Sequence, residues 1–90
     1  MSFRLKVVSA SQIVFDANVD KINITTTGGE LTILPHHLPL ISTLKEGGRL
    51  NIHQSKKVIS YVIGKGILSV KEDETTILVD DIDLNEKSWN

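Results

Sequence analysis

Cysteine is missing from all 90 residues, so neither a disulfide framework nor a thiolate metal site is available. Stability has to come from packing, ladder hydrogen bonds and association, and a reducing compartment suits such a chain. Aromatic residues make up only 4% of the sequence. That is too few for the stacking platforms of single-strand nucleic-acid binders, and Tyr61 and Trp89 are too separated to line the concave face of a carbohydrate- or peptide-binding module. Alanine occurs twice, which removes the best helix former. No apolar run approaches the roughly 18 residues of a membrane-spanning helix, and Met1 to Lys6 alternates charged with apolar residues, unlike a signal or transit peptide. Membrane insertion is therefore not expected. Net charge is only −1, although residues 1–71 hold nine basic and four acidic groups and residues 72–90 hold one and seven. No basic stripe with interleaved aromatics accompanies this asymmetry, so no nucleic-acid partner is expected.

What is abundant is aliphatic and β-branched. Ile, Val, Leu and Phe account for 31 of 90 residues, enough to bury a core, and 19 Ile and Val with 7 Thr favour pleated sheet. The length suits one domain, expected over residues 1–84, with 85–90 as a short acidic tail. Burial in so small a unit barely offsets its ordering entropy, so a permanent partner is expected.

Period-two alternation begins with Phe3, Leu5 and Val7 against Arg4 and Lys6, predicting a strand. Ile13, Phe15, Ala17 and Val19 form a second set, Ile22 and Ile24 a third, and Leu31 and Ile33 a short fourth after the turn at Thr27-Gly28-Gly29. Pro35 and Pro39 lack amide donors, which excludes a central strand and predicts an exposed loop or edge. Further strands are predicted at Leu40 to Leu44, around Leu50 and Ile52, at Lys57 to Ile63, Ile67 to Lys71 and Thr75 to Val79. From Asp80 onwards the period is lost, and a closing strand or a tail both fit. The rhythm predicts an all-β sandwich or barrel.

Catalytic signatures are lacking. Gly64-Lys65-Gly66 is a glycine turn between strands, not a phosphate loop opening a helix. His36 and His37 are adjacent, so an extended chain sends their rings apart, and no other ligand stands at metal-binding spacing. Asp16, Asp20, Glu30 and Asp80 sit at turns or on polar faces, and no serine occupies a nucleophile elbow. No enzyme activity, cofactor or metal is expected.

The informative segment is Gly29-Glu30-Leu31-Thr32-Ile33-Leu34-Pro35-His36-His37-Leu38-Pro39-Leu40. It resembles the G-E-L-x-I-L-P-x-H-x-P-L signature of the epsilon subunit of F-type ATP synthases, called delta in mitochondria. Val14-Phe15-Asp16-Ala17-Asn18-Val19, Gly66-Ile67-Leu68-Ser69-Val70 and Thr76-Ile77-Leu78-Val79-Asp80 extend the resemblance over essentially the whole chain. The resemblance implies a flattened two-sheet β-sandwich or barrel of the epsilon N-terminal type. It further implies a non-catalytic rotor subunit that couples gamma to the membrane c ring during proton- or sodium-driven ATP synthesis. Its place would be peripheral, on the cytoplasmic face of a bacterial inner membrane, and it would not be an obligate homo-oligomer. By the same resemblance Glu30, His36, His37 and Leu38 face the c ring, while Ser9, His37, Leu40 and Ser42 face gamma. Family members usually carry glycine where this chain has Thr32 and His36, and they continue into an inhibitory C-terminal helical hairpin. The last residues, with Lys87 alone among Asp81, Asp83 and Glu86, do not match that hairpin, so inhibition by insertion is not expected.

Overall fold

A computed structural model describes residues 1–84. They form ten strands: β1 (Phe3–Ser9), β2 (Gln12–Val19), β3 (Lys21–Thr26), β4 (Gly29–Ile33), β5 (Leu40–Leu44), β6 (Gly48–Gln54), β7 (Lys57–Ile63), β8 (Gly66–Val70), β9 (Glu74–Val79) and β10 (Ile82–Leu84). No helix occurs among the described residues. The all-β expectation holds, and the ambiguous segment after Asp80 supplies the short closing strand β10, paired with β7. Residues 85–90, including Trp89, lie outside the described residues.

The hydrogen-bonded path runs β10-β7-β6-β3-β5-β8-β9-β1-β2, with β4 added on β3. It divides naturally into two leaves. In one, β3 is flanked by β4 and β6. In the other, β8 and β9 connect β5 to β1, and β1 and β9 are the parallel pair. The leaves are joined along the path by a single register pair, Thr26 with Leu44, reinforced by the Thr27 amide donating to the Thr43 carbonyl at 3.0 Å.

Alternation decides what lies between the leaves. Ile22, Ile24, Ile33, Leu50, Ile52 and Ile63 from one leaf meet Leu5, Val7, Leu68, Val70 and Ile77 from the other, in one cluster. Each is essentially removed from water. Where β8 crosses close to β9 the chain needs glycine: a Cβ on Gly66 would lie 1.9 Å from the Leu78 carbonyl oxygen.

One alternation breaks. The register of β1 with β2 shifts between Val7 and Val8, so Val7 faces Phe15 while Val8 faces Ile13. The extra residue, Val14, is a β-bulge, and it reverses the pleat. Phe15 packs against the core, but Ile13 is carried to the outer face and is 60% exposed.

Candidate functional site

The segment from β4 to β5 is built by two tight reversals. At the first, Thr26 pairs with Gly29 across Thr27-Gly28, and the Thr26 hydroxyl closes the turn by donating to the Gly29 carbonyl at 2.9 Å while accepting the Gly28 amide at 3.1 Å. Gly29 has φ +120°, a conformation natural only to glycine. At the second, the His37 amide donates to the Leu34 carbonyl at 3.2 Å, enclosing Pro35 and His36. Proline followed by a residue at positive φ is the type II pattern, and His36 has φ +66°. This explains the glycine usual in the resembling sequences: the turn wants a residue without a Cβ where this chain places an imidazole.

Of the residues expected to face a ring, Glu30, His36 and Leu38 are exposed, Leu38 by 80%, and His37 is half-buried. The imidazole Nδ1 of His37 lies 2.7 Å from the Leu38 carbonyl oxygen; only a protonated Nδ1 can donate to it, so Nε2 is the nitrogen left available. His36, His37, Leu38 and Pro39 line one open depression together with Glu72, which the sequence did not associate with this loop. Glu30 stands apart on the outer face of β4, where the Thr25 hydroxyl donates to its Oε2 at 2.8 Å.

The residues expected to face gamma are placed differently. Ser9, Leu40 and Ser42 project from the core-facing side of β1 and β5. Ser9 is buried, which removes it from any outward surface. Leu40 and Ser42 are half-buried, because β5 from Leu40 to Ser42 has β8 on one side only and leaves the lip of the sandwich open. The accessible apolar surface of this leaf is instead its outer face. There the register aligns Ile67, Leu78, Val8 and Ile13 in one row across β8, β9, β1 and β2, with Ile41 exposed on β5. The bulge at Val14, invisible to simple alternation, completes that row.

On the outer face of the opposite leaf, β3, β4 and β6 present polar side chains. Asn23 donates to Thr32 Oγ1 at 2.9 Å and faces His53 Nε2 at 2.8 Å through its carbonyl oxygen, which assigns the proton to Nε2. Burial, then the Lys21 ammonium, hold the His53 pKa below its ordinary value against the opposing pull of Asp20. Arg4 and Asp16 pair at 2.6 Å on the exposed face of β1 and β2, an interaction that lowers the Asp16 pKa. These groups form no catalytic arrangement, and no set of three metal-ligating side chains comes together among the described residues.

Residues 2–84 match the family model described as ATP synthase, Delta/Epsilon chain, beta-sandwich domain. The chain belongs to this family. A chloroplastic ATP synthase epsilon chain of Bigelowiella natans is 33% identical over 81 residues, which cover 89% of this chain and 59% of that one. A chain in the cryo-EM structure of the Euglena gracilis mitochondrial ATP synthase (OSCP, F1 and c-ring) superposes with a TM-score of 0.87 at 20% identity, over 97% of this chain and 58% of that chain. A chain of the Tetrahymena thermophila mitochondrial ATP synthase central stalk and c-ring gives 0.77 at 19% identity, over 92% and 66%. The two structural likenesses establish the delta/epsilon β-sandwich fold. The chain spans about three fifths of the length of the curated epsilon chain it matches.

Proposed function

We propose that this chain is a non-catalytic central-stalk subunit of a rotary F-type ATP synthase, joining gamma to the membrane c ring while an ion gradient, of protons or sodium, drives ATP synthesis. The observation that carries this reading is the family match over residues 2–84, combined with Glu30 exposed at the start of β4 and a proline loop that exposes His36 and Leu38. The work is mechanical, and a double-leaf sheet folded around one continuous, close-packed core is suited to carry torque. The tip residues Glu30, His36, His37 and Leu38 face the c-ring loops. His37, Leu40 and Ser42 at the open lip of the sandwich approach gamma, Ser9 contributes only from within, and the row containing Ile67 and Leu78 offers apolar area for a permanent contact. Attachment to the membrane is then indirect, through the complex, and in a bacterium it places the chain at the cytoplasmic face of the inner membrane.

Cysteine crosslinking tests the orientation. Glu30→Cys in the assembled enzyme is expected to crosslink to a cysteine in the c-subunit loop, while Ser60→Cys, on the outer face of β7, does not. Absence of the Glu30 crosslink in every rotary state would overturn the ring-facing assignment.

A further inference from the structure

Glu30 is not simply an exposed carboxylate on a strand. It is the cross-strand partner of Thr25, whose hydroxyl donates to Oε2 at 2.8 Å. A hydroxyl has one proton and two lone pairs, and the Arg49 amide donates to the same Oγ1 at 3.1 Å. With that N–H occupying a lone pair, the hydroxyl proton is directed away from β6 and towards β4. The Thr25 side chain is itself held by shape: a Cβ on Gly48 would stand 2.9 Å from Thr25 Cβ and 3.4 Å from its Cγ2, so the glycine backbone sits hard against the β-branch. Three strands thus converge on one side chain, β6 by an amide and a glycine, β3 by Thr25, and β4 by Glu30. Glu30 has no cation partner among the described residues, where Arg4 and Asp16 form the ion pair.

We infer that Thr25 is a positioning residue that presets the Glu30 carboxylate, leaving Oε1 directed outward to accept from an ammonium or guanidinium group of the partner. This rests on the reading that the tip contacts a partner subunit. A glutamate with its rotamer already restricted loses less freedom when it is captured, which is worth about threefold to tenfold in affinity for one flexible side chain. Thr25→Val keeps the β-branch against Gly48 and removes the donor. Thr25→Ser keeps the donor.

The test has two arms. In the chain alone, side-chain couplings and chemical shifts of Glu30 measured by NMR are expected to report one dominant rotamer in the parent and in Thr25→Ser, and rotamer averaging in Thr25→Val. In the reassembled gamma and c-ring complex, Thr25→Val is expected to weaken attachment about threefold to tenfold. Thr25→Ser is expected to retain it, and Thr25→Val is expected to add nothing in a Glu30→Gln background. A Glu30 rotamer unchanged by Thr25→Val would overturn the positioning role whatever the binding shows. Equal weakening by Thr25→Val with and without Glu30 would also overturn it, by assigning the loss to the sheet. If Glu30→Gln leaves attachment unchanged while the NMR arm holds, the positioning stands and the ring-facing reading of Glu30 falls.

Discussion

At position 36 an imidazole does what glycine does more easily. His36 sits at φ +66° as the third residue of the turn from Leu34 to His37, and its Cβ is crowded in that conformation by about 1 kcal/mol. Replacement by glycine releases that strain but restores freedom to the unfolded chain, at a cost of about 0.5 to 1 kcal/mol. His36→Gly is therefore expected to leave stability within about 0.5 kcal/mol of the parent. His36→Val, which brings a β-branch into the same region, is expected to lose about 1 to 3 kcal/mol. Urea denaturation of the two variants checks the pair, and equal stabilities would mean that the turn is not under strain. The tip pattern was legible in the sequence as far as Pro35 and the exposure of Leu38. The positive φ was hidden, because histidine does not announce a left-handed position as glycine would.

Hairpins show the same conflict at the scale of an element. Ser9 pairs with Gln12 across a two-residue loop in which Ala10 has φ +49° and Ser11 φ +66°. Those angles define a type I′ turn, the geometry that suits the twist of adjoining strands and favours Asn-Gly. Neither residue is suited to it, and the loop survives because β1 is held by β9 on its other edge and by the burial of Leu5 and Val7. The double substitution Ala10→Asn with Ser11→Gly is expected to stabilise the protein by about 1 kcal/mol, a rise of about 4 to 8 °C in Tm for a domain of this size. Thermal unfolding followed by circular dichroism checks it. No gain, or a loss, would show that the turn strain is already relieved by its surroundings. The strands themselves were readable from alternation, since every predicted run appears as a strand. The bulge at Val14 was not, because it is a property of how β2 meets β1, not of either strand alone.

At the scale of the molecule, the leaves share one register pair yet bury one core. Their cohesion lies in the interdigitated aliphatic side chains between them, and neither leaf has an apolar cluster of its own to fall back on. Unfolding is therefore expected to be a single cooperative event. Native-state amide exchange checks this: Ile24 in one leaf and Leu68 in the other are expected to exchange through the same global opening, with the same free energy and denaturant dependence. A leaf that opened at lower cost would show the core to be divisible.

The sequence by itself determined the class of the protein, the succession of its strands, the exposed proline loop and, through the tip motif, the family. All of these are local, because each follows from a period of two, from the lack of an amide donor or from an order of residues along the chain. Only the tertiary structure decided which face of each leaf is outside. It withdrew Ser9 into the core, since β1 is covered on that side by the opposite leaf, and left Leu40 and Ser42 half-open at the edge of β5. It also gathered Ile13, Val8, Leu78 and Ile67 into one apolar row and set Thr25 between Arg49 and Glu30. These juxtapositions join residues distant along the chain, and they arise from register between strands, which no alternation within a single strand contains.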